Sequence, residues 1–184
     1  MKKQLLTALL IFSIAFTTTA QTTKPGELFP GKTSFYAEVG GPGILFSANI
    51  DTRFKKTHLG WGGRAGIGFV TIWNDNYDPV TGTYFGNGRK KSVATLPVQI
   101  NYIFGRGSSP HTFEAGAGFT ALSKKVDPFN NFYDDKPTQL YGTFSFMYRR
   151  QPMNGGFTWR LGFTPLISSG YIQPSGGASV GWSF

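Results

Sequence analysis

The sequence contains no cysteine. That excludes a disulfide framework, a thiolate metal centre and the lipid-bearing cysteine of a bacterial lipoprotein anchor. Histidine is scarce, with only His58 and His111, and charged residues make up 15% of the chain. Long apolar runs are missing as well. Beyond the first 20 residues nothing reaches the roughly 20 apolar residues that a membrane-spanning helix needs, and mean hydropathy is −0.17. A bundle of membrane helices is therefore excluded. What the chain has in quantity is glycine, with 25 residues, and aromatics at 16%, 18 of them Phe. That mixture suits a β architecture better than a helical one.

The first 20 residues read as a secretory leader. Lys2 and Lys3 form its charged start, Leu5–Phe16 its apolar middle, and Thr18-Thr19-Ala20 a small-residue cleavage site. Residues 21–32 are polar and carry Pro25, Gly26, Pro30 and Gly31, as expected of a flexible lead-in. Gly26–Thr33 matches the phosphate-loop pattern G-x-x-x-x-G-K-[ST]. Such a loop works only between a buried strand and the N-terminus of a helix. Here a strand-like segment follows, so the match is read as chance. The remaining length suits one domain, residues 33–184.

From Thr33 onward the chain alternates with the period of two that a strand requires. Phe35, Ala37 and Val39 share one face, with Ser34, Tyr36 and Glu38 on the other. Leu96, Val98, Ile100, Tyr102 and Phe104 oppose Thr95, Pro97, Gln99 and Asn101. The last stretch sets Ala178, Val180, Trp182 and Phe184 against Gly177, Ser179, Gly181 and Ser183. About eight such segments of roughly ten residues recur. Short turns at 55–60, 105–110 and 150–155 alternate with longer polar loops at 71–92 and 123–137. The expectation is all-β: a single antiparallel up-and-down transmembrane barrel of about eight strands.

Three features turn the apolar face outward. The lysines fall in the lead-in, turns and loops, and the polar face is mostly Gly, Ser and Thr. The charges inside strands share the polar parity: Glu38, Asp51, Arg53, Arg64, Glu114, Arg149 and Arg160. Of mixed sign, they are expected to pair as a lumen network, whereas a mid-depth arginine facing lipid costs about 2–4 kcal/mol. Aromatics flank each short turn on the apolar face: Phe54 with Trp61, Phe104 with Phe113, Tyr148 with Phe157, then Trp182 and Phe184. That is expected to be an interfacial girdle. It puts the short turns and both termini in the periplasm and the long loops outside the cell. A final strand ending on Phe184 is likewise expected to meet lipid, since termini in water usually fray.

These stretches resemble small outer-membrane β-barrel proteins of the Bacteroidetes type, similar in turn to OmpA/OmpX-type eight-stranded barrels. The likeness rests on Tyr36–Phe54, Leu96–Gly105 with Phe113–Phe119, and Arg160–Leu166. It implies a bacterial outer-membrane location, with lipopolysaccharide and outer-membrane lipid as surroundings and no cofactor. It also implies that Val180, Trp182 and Phe184 form the C-terminal sorting signal read by the barrel-assembly machinery. The resemblance brings no catalytic residues.

Ser108, Ser109, His111 and Glu114 hold the residue types of a lipid deacylase, which must converge in space to act. Asn74–Asp78 alternates oxygen donors like a calcium loop, yet Pro79 stands where Gly is needed and Phe85 where Glu is needed. The long loops mix basic and aromatic residues, suited to lipopolysaccharide phosphates or a surface partner. Positive charge is scattered, which argues against nucleic acid. The expected function is non-enzymatic, structural or interactive through the long loops. The alternatives are a narrow pore, left open by lumen glycines such as Gly62, Gly66 and Gly116, and a lipid-modifying enzyme.

Overall fold

The computed structural model describes residues 31–77, 80–126, 138–168 and 171–184, with side chains described outside 73–77 and 84–90. The leader, most of the lead-in and the phosphate-loop match before Gly31 lie outside these residues. Thr33 opens a strand, so no helix follows that motif.

The strands are β1 (Thr33–Gly40), β2 (Phe46–Arg53), β3 (Gly60–Tyr77), β4 (Tyr84–Gly105), β5 (His111–Val126), β6 (Thr138–Arg150), β7 (Gly156–Phe163), β8 (Leu166–Ser168), β9 (Tyr171–Gln173) and β10 (Gly176–Ser183). Each pairs antiparallel with its neighbour. The first and last close the ring, with Phe35 opposite Trp182 and Ala37 opposite Val180. Ten segments make eight staves, because β7 continues into β8 and β9 into β10. Phe163 pairs with Gly176 and Leu166 with Gln173 in one unbroken register, which sets Pro165 opposite Pro174. Neither proline has an N–H for the ladder, so both staves are interrupted at the same height.

Alternation sorts the side chains as the period of two demands. Phe46, Ile50, Ile67, Ile100, Phe119, Phe144, Leu161 and Val180 are exposed on the outer wall. At the short-turn end an aromatic band runs round the outside. Trp61 meets Tyr102 edge-on at 5.2 Å, Tyr102 lies 4.5 Å from Phe104, and Tyr148 lies 5.2 Å from Trp159.

Two boundaries differ from the sequence reading. Most of the segment 71–92 is strand rather than loop: β3 and β4 continue as a paired ladder to Tyr77 and Tyr84, with register shifts near Asp75. Backbone ladders need no apolar face, so polar residues there concealed the strands. Lys91, Lys124 and Lys125 consequently stand on strands rather than in loops, all exposed beyond the ring. Of the second long loop, Ser123–Val126 belongs to β5 and 127–137 lies outside the described residues.

The β1–β2 connection turns inward. Gly41–Gly43 forms a single 3-10 turn that is wholly buried. Thr120 Oγ1 donates to Pro42 O at 2.5 Å and Thr95 Oγ1 to Gly43 O at 3.2 Å, tying the turn to β5 and β4. Gly41 has φ +65°, and a Cβ there would lie 2.7 Å from Glu38 Cδ. Above the turn an apolar layer of Ile44, Val70, Val93, Leu122, Tyr141 and Leu166 fills the loop end of the barrel.

Candidate functional site

Beneath that turn the barrel axis is occupied by charge. The seven charged residues expected in the lumen, Glu38, Asp51, Arg53, Arg64, Glu114, Arg149 and Arg160, are all buried and meet in one network. Glu114 is its hub. It accepts from Arg149 Nη1 at 2.9 Å, from Arg160 Nη1 at 3.0 Å and from Asn101 Nδ2 at 3.1 Å. Toward the short-turn end Asp51 is held between Arg53 and Arg149. Toward the loop end Glu38 accepts from Arg160 Nη2 at 2.9 Å, with Arg64 Nη1 at 3.5 Å.

Uncharged side chains complete the set. Arg64 donates to Tyr36 Oη at 3.2 Å and to Gln99 Oε1 at 2.6 Å, and Gln99 donates to Thr143 at 2.8 Å. Arg53 donates to Asn101 Oδ1 at 2.7 Å, Arg149 to Ser34 Oγ at 2.9 Å and Arg160 Nε to Ser179 Oγ at 2.9 Å. The Arg160 guanidinium also lies over the Tyr36 ring, 3.7 Å from its centroid, an attractive placement for a cation. Every stave contributes at least one group. Sequence reasoning placed Ser34, Tyr36, Gln99, Asn101 and Ser179 on the polar face but did not include them in the network. Shared parity was the available signal.

The network's chemistry is structural. Each carboxylate is engaged by guanidinium, so none is free to act as a base. Four guanidiniums against three carboxylates leave one positive charge in excess. The glycines do not hollow the lumen. A Cβ on Gly62 would lie 2.2 Å from Arg53 Cζ, and one on Gly66 2.2 Å from Asn49 Oδ1. These glycines make room for large neighbours.

The deacylase set is not brought together. Glu114 points into the lumen, bound to Arg149 and Arg160. His111, three residues earlier, has the opposite parity and is hydrogen-bonded through Nδ1 to the Tyr148 hydroxyl on the outer wall. Ser109 Oγ accepts from the His111 backbone N–H at 3.2 Å, an ordinary turn contact. His58 lies in the β2–β3 turn, 6% exposed, with Nε2 unpartnered among the described residues. Burial and then the Arg149 guanidinium hold its pKa below the ordinary histidine value. The side chains of the calcium-like stretch Asn74–Asp78 lie outside those described. Among the described residues no group of three or more acidic or His side chains forms a metal site.

Val180, Trp182 and Phe184 stand on the outer wall at the seam with β1, all more than half exposed. No protein-family model matches the chain, and no curated protein matches it. Among solved structures it is similar to the N-terminal β-barrel domain of Pseudomonas aeruginosa OprF. The TM-score is 0.49 at 10% identity, over 83% of this chain and 96% of that one.

Proposed function

We propose that this chain is an outer-membrane barrel, sealed by its own side chains, with a structural or interactive role carried by its loop end and no catalytic activity. One observation carries the reading: the outer wall is apolar and aromatic on every stave, while the seven charges of the network are enclosed along the axis. In water that arrangement would expose large contiguous apolar surface, which monomeric soluble proteins avoid. In lipid it satisfies both faces, since a closed barrel leaves no unpaired strand edge. On this reading the aromatic band marks the periplasmic interface, the termini are periplasmic, and the β3–β4 hairpin stands outside the cell near lipopolysaccharide. Val180, Trp182 and Phe184 serve as the sorting signal for the assembly machinery.

The test is reconstitution of the full chain. Refolded protein should insert into phosphatidylcholine vesicles, float with them, and give no steady conductance in planar bilayers. Dispersal in buffer without detergent overturns the membrane reading. Stable channels under mild conditions overturn the sealed lumen and favour a pore.

A further inference from the structure

The short-turn rim carries a charge pattern that the lumen network does not explain. We propose that this rim is a docking surface for the headgroups of anionic phospholipids, gripped by a ring of cations next to the aromatic band. The inference rests on the membrane reading above. The rim consists of residues 31–33, 54–60, 105–111 and 150–156. It bears Lys32, Lys55, Lys56, Arg106 and Arg150, and none of its segments contains an Asp or Glu. Lys55, Lys56 and Arg106 are exposed, and Lys32 and Arg150 half-buried. Of the nearest carboxylates along the chain, Asp51 and Glu114 are committed to arginines inside the barrel, as is Glu38; Glu27, five residues before Lys32, lies outside the described residues. The loop-end sequences, in contrast, mix both signs: Asp75, Asp78, Asp127, Asp134 and Asp135 stand among their lysines.

Two features choose lipid over a discrete partner. First, the cations are spread round the circumference. The β2–β3 and β4–β5 turns, the last residue of β6 and the residue just before β1 each supply at least one. A protein or cell-wall partner meets one side of a rim and binds through a central cluster, whereas a leaflet surrounds it. Second, most of the cations lie within two residues of a ring of the band. Lys55 follows Phe54, Arg106 follows Phe104 by two residues, and Arg150 follows Tyr148 by two. Long basic side chains extend from such a band toward phosphates while their stems stay on apolar surface. Attraction to an anionic leaflet grows with each Lys or Arg near the surface and is screened within a Debye length.

The test uses the full chain in bilayer nanodiscs of phosphatidylcholine with a minority of phosphatidylglycerol, reading the lipids retained on the barrel by native mass spectrometry. Wild type should enrich phosphatidylglycerol about tenfold at low salt. Lys55→Gln/Lys56→Gln/Arg106→Gln/Arg150→Gln, which leaves every network residue intact, should fall toward parity, as should wild type in high salt. If the quadruple variant does not fold, Lys55→Gln/Lys56→Gln should show a partial loss. Insertion without any phosphatidylglycerol preference, or a preference that the variants keep, overturns the proposal and leaves the barrel reading standing. Failure to insert into pure phosphatidylcholine overturns both. Retention on isolated peptidoglycan that the variants lose, with no lipid preference, overturns it in favour of a cell-wall partner.

Discussion

Arg160 Nη2 lies 2.9 Å from Glu38 Oε1, although 122 residues separate them and β10 stands between their strands. The same guanidinium reaches Glu114 on β5 and Ser179 on β10. One side chain thus links four staves, and it can do so only in a closed ring. The network is a fastening of the tertiary structure rather than of any single hairpin.

Removing one carboxylate from that fastening leaves buried cations without a counterion. Breaking a buried pair in this way costs about 3–5 kcal/mol. Glu114→Gln should lower the urea midpoint of the vesicle-inserted barrel accordingly, read by gel mobility with and without heating. The double variant Glu114→Gln/Arg160→Gln should lose less than the sum of its singles. Strict additivity would show that the two side chains act independently.

The inner and outer glycines should respond differently. Gly66→Ala drives a Cβ into Asn49 and the Ala48 carbonyl and should cost about 1–3 kcal/mol by overpacking. Gly63→Ala meets only ordinary contact, 3.6 Å from the Phe54 ring, and should leave the midpoint nearly unchanged. Equal tolerance at both sites would mean a roomier lumen than the structure has.

Charge on the wall separates lipid from water as its solvent. Leu161 is 59% exposed, so Leu161→Arg would be harmless in an aqueous barrel. Facing acyl chains it should cost about 2–4 kcal/mol near mid-depth and reduce insertion into vesicles. Ser123→Arg, on the exposed end of β5, serves as the matched control. Spin labels at Val98 and Leu161 should report hydrocarbon, and water at both sites would contradict the assignment of the faces.

His58 gives a pH dependence with a definite sign. Its folded pKa is depressed by burial and by Arg149, so the fold holds it neutral while the unfolded chain protonates below about 6.5. The stability it contributes is present above that value and is lost as the pH falls through the folded pKa. Acidification from neutrality should therefore lower the urea midpoint of wild type more than that of His58→Gln. Parallel pH profiles would show that His58 titrates alike in both states.

Much of this was legible because a strand has only two sides. Parity alone separates Phe35 from Tyr36 and Leu161 from Arg160, and it collects the seven charges of the network on one face. Parity also divides His111 from Glu114, which a reading for catalytic residue types passes over. What stayed hidden depends on direction and distance. Gly40–Gly43 announces a turn by composition, but nothing in four small residues says that it folds into the barrel. The extension of β3 and β4 was hidden because alternation is a signature of burial on one face, and a hairpin wet on both faces has none. The apolar layer around Ile44 was unexpected because Val70, Val93 and Leu122 sit at the ends of segments read as loop or polar strand.

The inward turn at Gly41 has a consequence for biogenesis. It joins the first two strands, so the stopper is synthesised before the wall that will enclose it. A Cβ on Gly177 would lie only 2.9 Å from Gly41 Cα, so the last strand must seat directly against it when the seam closes. The stopper is thus part of the first hairpin of the wall itself, and closing the seam also seats it, with no separate plug to add.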